Sequence, residues 1–144
     1  MSPNAIEEGR PLILISVEGR GDVRTTRVLL AHGADINGMG NVHRTALMEA
    51  SNGGDVTTVK FLLRHGADPN IANSAGRTAL FHLTTGGRND ATALEIARLL
   101  VTAGADPCHR DKAGEMAATD RQGAPFGPAG QDIAESCRLG KAAP

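Results

Sequence analysis

The sequence predicts an all-α solenoid, a single domain of stacked helix–turn–helix units joined by hairpin-like loops. Three observations predict it. The string Leu29-Leu30-Ala31-His32-Gly33-Ala34-Asp35 returns as Leu62-Leu63-Arg64-His65-Gly66-Ala67-Asp68 and, loosened by one residue, as Leu99-Leu100-Val101-Thr102-Ala103-Gly104-Ala105-Asp106. A second string, Arg-Thr-Ala-Leu, occupies 44–47 and again 77–80. The spacing is regular: 12 residues separate Gly33 from Thr45, Gly66 from Thr78 and Gly104 from Met116, and 21 separate Thr45 from Gly66, giving a unit of 33. Self-similarity at a fixed period of this size marks a repeat architecture in which each unit needs its neighbours to bury its apolar face.

The elements follow in order. Residues 1–9 are short and polar and are expected to supply no hairpin. The first helix begins near Pro11. Thr45 and Thr78 stand where a helix N-cap is wanted, their hydroxyls able to accept an orphan backbone N–H. Short helices are predicted over 46–52 and 79–84, ending at Gly53-Gly54 and Gly86-Gly87. Asp22, Asp55 and Asp90 sit at the starts of second helices, where the dipole favours negative charge. Those helices are predicted over 22–31, 56–64 and 91–102. Their apolar residues Val23, Val28, Leu29, Leu30, then Val56, Val59, Leu62, Leu63, then Leu94, Ile96, Leu99, Leu100 fall at helical spacing. Gly33, Gly66 and Gly104 stop each helix, and 35–43, 68–76 and 106–114 read as loops projecting sideways.

The third unit carries five extra residues, placed at the helix–helix turn because Gly86-Gly87-Arg88-Asn89-Asp90 is polar and glycine-bearing. Repeat boundaries fall at about 10–40, 41–73 and 74–111, with a degenerate unit over 112–140. In that last unit two Pro and three Gly across 122–130 predict no regular structure, with Phe126 anchored and a final helix over Gln131–Leu139.

Composition narrows the function. With 144 residues, 40% apolar, only three Phe and no Tyr or Trp, the core must be aliphatic. A net charge of -1 gives no basic excess for nucleic acid. The near absence of aromatics leaves no stacking platform for bases. No apolar run reaches the ~18 residues of a membrane span, and Met1 to Glu8 do not read as a secretory signal. Cys108 and Cys137 lack a close spacing, so no disulfide framework is predicted and a reducing, cytoplasmic setting is expected. His32 and His65 recur at equivalent positions, but a histidine there is read as closing a helix end rather than binding metal. Gly38-Met39-Gly40 is half of a dinucleotide fingerprint and follows a helix, so it reads as loop. No catalytic constellation, cofactor site or metal site emerges, and a non-enzyme, monomeric on its own, is expected.

A 33-residue unit with Thr-x-Leu opening one helix and Leu-Leu-x-x-Gly-Ala-Asp closing another resembles the ankyrin repeat, over about residues 10–121. The family's usual Pro after Thr is Ala46 and Ala79 here, and its His after Leu is Met48 and Phe81. The resemblance implies a protein-binding module that uses a concave face of loop tips and first helices. Candidate contacts on the tips are Met39, Asn41, Val42 and Arg44; Ala72, Ser74 and Arg77; Arg110, Lys112 and Glu115. At first-helix ends they are Glu18 and Arg20; Asn52; Thr85, Arg88 and Asn89. Arg44, Arg77 and Arg110 recur at 33-residue spacing, a row able to read an acidic partner segment. The alternative is an accessory, immunity or effector-type regulatory subunit acting on a bacterial enzyme or a host target. Leu29 to Asn37 also resembles the sequence that asparaginyl hydroxylases modify.

Overall fold

The expected stack is what the chain forms. The computed structural model describes residues 2–7, 9–18, 23–85, 91–117 and 127–140. Among them are a two-stranded antiparallel ribbon, β1 (Ile6–Glu7) and β2 (Arg10–Pro11), and seven helices. The helices are α1 (Leu12–Val17), α2 (Val23–Ala31), α3 (Ala46–Gly53), α4 (Val56–Arg64), α5 (Ala79–Thr85), α6 (Ala91–Thr102) and α7 (Gly127–Arg138). The first helices form one row, with α3 packed against α1 and α5. The second helices form another, with α4 against α2 and α6, and α7 against α6. One aliphatic core runs through the units, from Ile13 and Val17 through Leu47, Val59, Leu62, Leu80, Ile96 and Leu100 to Ile133.

Local chemistry ends each helix where the sequence places it. Thr45 Oγ1 accepts the N–H of Met48 at 3.3 Å, and Asp55 Oδ1 accepts that of Thr58 at 3.1 Å. Gly33, Gly66 and Gly104 adopt φ of 90°, 90° and 100°. After each, the alanine N–H reaches back five residues, Ala34 to Leu29, Ala67 to Leu62 and Ala105 to Leu100, so that carbonyls orphaned by the helix end are satisfied. His32 and His65 use Nδ1 on the carbonyls of Val28 and Phe61, each at 2.8 Å, closing the same turns.

A ladder of asparagines fastens one unit to the next. Asn4 Oδ1 accepts the N–H of Asp35 at 2.7 Å, Asn37 Oδ1 that of Asp68 at 2.9 Å, and Asn70 Oδ1 that of Asp106 at 2.8 Å. The Nδ2 of Asn4 and of Asn70 donate to the carbonyls of Gly33 and Gly104. Cys108 fills the next asparagine slot, and it is bonded to Cys137 of α7.

Several expectations are corrected. The N-terminal segment does supply a hairpin: Ile6 pairs with Pro11 and Glu7 with Arg10, covering backbone that the first unit would otherwise leave open. The two cysteines are joined by a disulfide across 29 residues, because stacking returns α7 to the third loop although the sequence separates them. Helix α6 covers Ala91–Thr102, the 12 residues expected, three more than the nine of α4; the Gly86 to Asp90 insertion itself lies outside the described residues. Helix α7 starts at Gly127 rather than Gln131; Pro128 is tolerated there because a first-turn N–H has no intrahelical acceptor. Thr78 does not cap with its hydroxyl; Phe81 N–H takes the Thr78 carbonyl at 3.0 Å instead. Val28 is exposed, since α2 lacks a second helix on its outer side. Asp22, Gly86 to Asp90 and Phe126 lie outside the described residues.

The two adjacent leucines of α4 are not equally placed. Leu62 is fully buried, whereas Leu63 is half-buried. Leu62→Ala is expected to lower unfolding free energy by about 2–5 kcal/mol, and Leu63→Ala by less than half the Leu62→Ala loss. Urea unfolding of the two variants checks the difference, and equal losses would contradict the packing.

Candidate partner-binding face

The loop tips are tied to one another before any partner arrives. Ser74 N–H donates to the Val42 carbonyl at 3.0 Å, and Lys112 N–H to the Ala75 carbonyl at 3.0 Å. Ser74 Oγ also meets His43 Nδ1 at 3.2 Å. Within the second tip, Asn73 Oδ1 accepts the N–H groups of Ala75 and Arg77; within the third, Asp111 Oδ1 accepts those of Ala113 and Glu115. Gly76 adopts φ 77°, and a Cβ there would stand 2.8 Å from the Lys112 backbone nitrogen, so only glycine lets these tips approach. The first tip has no such side-chain brace. It forms a 3-10 turn, Asn41–His43, with Val42 and His43 at positive φ of 53° and 58°. A β-branched residue in that region is strained, and it leaves Val42 61% exposed beside Met39 at 48%.

The structure divides the predicted contacts. Met39, Asn41, Val42, Ser74, Arg110, Lys112 and Asn52 are exposed, and Ala72 is half-buried. Arg110 Nη1 donates to the Gly114 carbonyl at 2.7 Å. Thr85 closes α5, while Arg20, Arg88 and Asn89 lie outside the described residues.

The arginine row is corrected. Counted from the helix stops, Arg110 matches Met39 and Ala72, because the insertion moves the third unit out of numerical register. The residues immediately before the helix caps are Arg10, Arg44 and Arg77. Glu115 holds the same place in the last unit. None of these arginines is idle. Arg10 pairs with Glu18, Arg44 Nε with Glu49 Oε1 at 2.6 Å, and Arg77 Nε with Asp111 Oδ2 at 2.9 Å; Arg77 Nη2 also lies 3.5 Å from Glu115 Oε2. An acidic partner would have to displace a carboxylate already in place.

Sequence reading missed Arg10, Glu49, His82 and Asp111. The available signal was the 33-residue step from Glu49 to His82, which puts both on one side of successive first helices. Burial raises the pKa of Glu49 and outweighs the lowering by Arg44; Glu18 raises it further and Arg10 lowers it. Burial, with Arg44 and Arg77 adding to it, lowers that of His82 to about 4. Asp111 is pushed up by burial, but the Arg77 hydrogen bond and the N–H groups of Glu115 and Ala113 outweigh this and hold it below the usual carboxylate range. The face is therefore an alternation of engaged acids and bases with a neutral imidazole at its centre.

On the opposite row, α4 and α6 border a groove of about 670 Å³ with Leu63, Leu94 and Leu99 among its walls and Lys60, Arg64 and Arg98 at its rim. None of the predicted contacts lines it. No helix of the described residues is long and apolar enough to cross a membrane. A family model for ankyrin repeats, in three copies, matches residues 12–111. No curated protein matches the sequence.

Two titrations test this electrostatic layout. Because folded His82 resists protonation, the unfolded chain binds the extra proton between pH 6.5 and about 4, so stability falls as pH drops through that window. His82→Leu should remove a loss of stability of about 3 kcal/mol across that window, read by urea unfolding at stepped pH. Asp111 works over a lower range: its lowered pKa contributes stability that is complete above the ordinary value of 3.8 and lost as pH falls through the folded one. Asp111→Asn, which keeps the turn-accepting oxygen as Asn73 does, should cost about 1.5–3 kcal/mol at neutral pH. The gap to wild type should close in acid, and a gap independent of pH would contradict the ion pair.

Proposed function

The chain belongs to the ankyrin-repeat family, and from that premise we propose that it is a non-catalytic module binding another protein through its loop tips and first-helix face. Ankyrin repeats are generally protein–protein interaction modules. The observation that carries the reading is the pair Met39 and Val42, large apolar side chains left in solvent on one tip, with Arg110 and Lys112 exposed on the third. Apolar anchors flanked by cations suit a partner segment that mixes aliphatic and acidic residues. In this reading Asn41, Asn52 and Ser74 supply polar contacts. Arg44, Arg77 and Glu115 serve chiefly to hold the face together. Thr85, Arg88 and Asn89 extend its rim, on the sequence alone. The protein acts as a monomer, without cofactor, metal or nucleic acid, in the cytoplasm.

Proteins captured from the native host by the wild-type chain and identified by mass spectrometry supply the partner. Met39→Ser/Val42→Ser and Arg110→Ala/Lys112→Ala are each expected to weaken its binding by more than about 1 kcal/mol, with melting temperature held to within the scatter of repeat measurements. Arg88→Ala/Asn89→Ala tests the rim in the same assay. Wild-type affinity in both tip variants would remove the tips from the interface.

A further inference from the structure

Each inter-unit joint carries a polar fastener in the same slot, and the last differs in kind from the others. Asn4, Asn37 and Asn70 use hydrogen bonds, which are indifferent to redox conditions. Cys108 uses a covalent bond to Cys137. We propose that this pair is a reversible thiol–disulfide clasp that decides whether α7 is docked on the stack.

The hold on α7 without the clasp is weak. Among its described side chains, the buried apolar ones are Ala129 and Ile133, with Ala134 packed at the edge. By comparison, α4 alone brings Val59, Phe61 and Leu62 to the core. Among the described residues, α7 makes one ion pair to the stack, Arg98 to Asp132 at 3.3 Å, and Arg98 is 63% exposed, so the pair contributes little. Two glycines, Gly127 and Gly130, lower the intrinsic helix propensity of its first turn. At 12 residues it is too short to persist undocked in water. Nine residues, 118–126, connect it to the third loop. Reduction therefore leaves α7 to its packing on α6 and α5 alone, against the entropy of ordering it.

Both cysteines are half-buried rather than enclosed, so a small thiol reagent can reach them. The oxidant is a low-molecular-weight disulfide of the glutathione class. One cysteine thiolate attacks it, forming a mixed disulfide and expelling a glutathione thiolate that takes up a proton. The second cysteine thiolate attacks the protein-side sulfur of that mixed disulfide and releases the second glutathione. Two protein thiols are oxidised and one glutathione disulfide is reduced to two thiols. In a reducing cytoplasm such bonds are transient and signal redox change. Release of α7 uncovers part of the apolar side of α6 and loosens the loop two residues before Arg110.

The test is hydrogen exchange with mass spectrometry on the full chain, equilibrated in buffers of reduced and oxidised glutathione at stepped ratios, with thiol content measured in parallel. Amides of 129–138 should lose at least tenfold in protection as the disulfide opens and regain it on reoxidation, while those of 46–64, in the second unit, stay unchanged. Cys108→Ser/Cys137→Ser should match the reduced state at every ratio. Three results would each overturn the proposal: α7 equally protected in both states, the whole stack losing protection on reduction, or thiols that stay unpaired in the most oxidising buffer.

Discussion

No unit of this chain can bury its own helices, and that constraint organises everything else. Leu62 is fully buried because α4 has α2 on one side and α6 on the other. The matching Leu29, on α2 with a single neighbour in its row, is not fully buried. Burial is thus a property of position in the stack rather than of the residue. The ends need substitutes for absent neighbours: at the start the ribbon of β1 and β2, and at the finish α7. Stability in such an array is a sum of weak units and strong joints, so an end unit depends mainly on its single joint.

Against that background the fixed parts of the repeat make physical sense. The 12 residues from each helix-stopping glycine to the next helix cap carry the asparagine fastener and the tip-to-tip hydrogen bonds, and both demand register. A residue added there would move a side chain out of reach of its neighbour's backbone. Among the described residues, the turn between first and second helix makes no such contact, so the third unit could lengthen on that side. It did so partly by growing α6 to 12 residues. The same growth displaced the numerical spacing of the arginines, and Glu115 rather than Arg110 stands against Arg77.

The helices, their stops and the repeat count were legible in the sequence because each rests on local chemistry repeated three times. Thr45, Asp55 and Gly66 are determined by the few residues around them. What escaped was non-local and occurs once. The disulfide joins residues brought together only by stacking. The hairpin at Ile6 to Pro11 is a partial unit with no second copy to align. For the candidate face, sequence supplied the exposed tips, including Met39, Val42, Arg110 and Lys112. It could not reveal that Arg44 and Arg77 already hold carboxylates, since Glu49 and Asp111 are met across a turn and across a unit boundary.

The Cys108–Cys137 bond also changes how the molecule carries load. In a row of units joined only to their neighbours, tension applied at the two chain ends passes through every joint in series. With the disulfide closed, force entering beyond Cys137 crosses directly to Cys108 and bypasses the 29-residue span between them. That segment, about 100 Å of contour at roughly 3.5 Å per residue, contributes nothing to extension until the bond opens. A linear array thereby acquires one slack loop at its end, and the remaining units bear the strain.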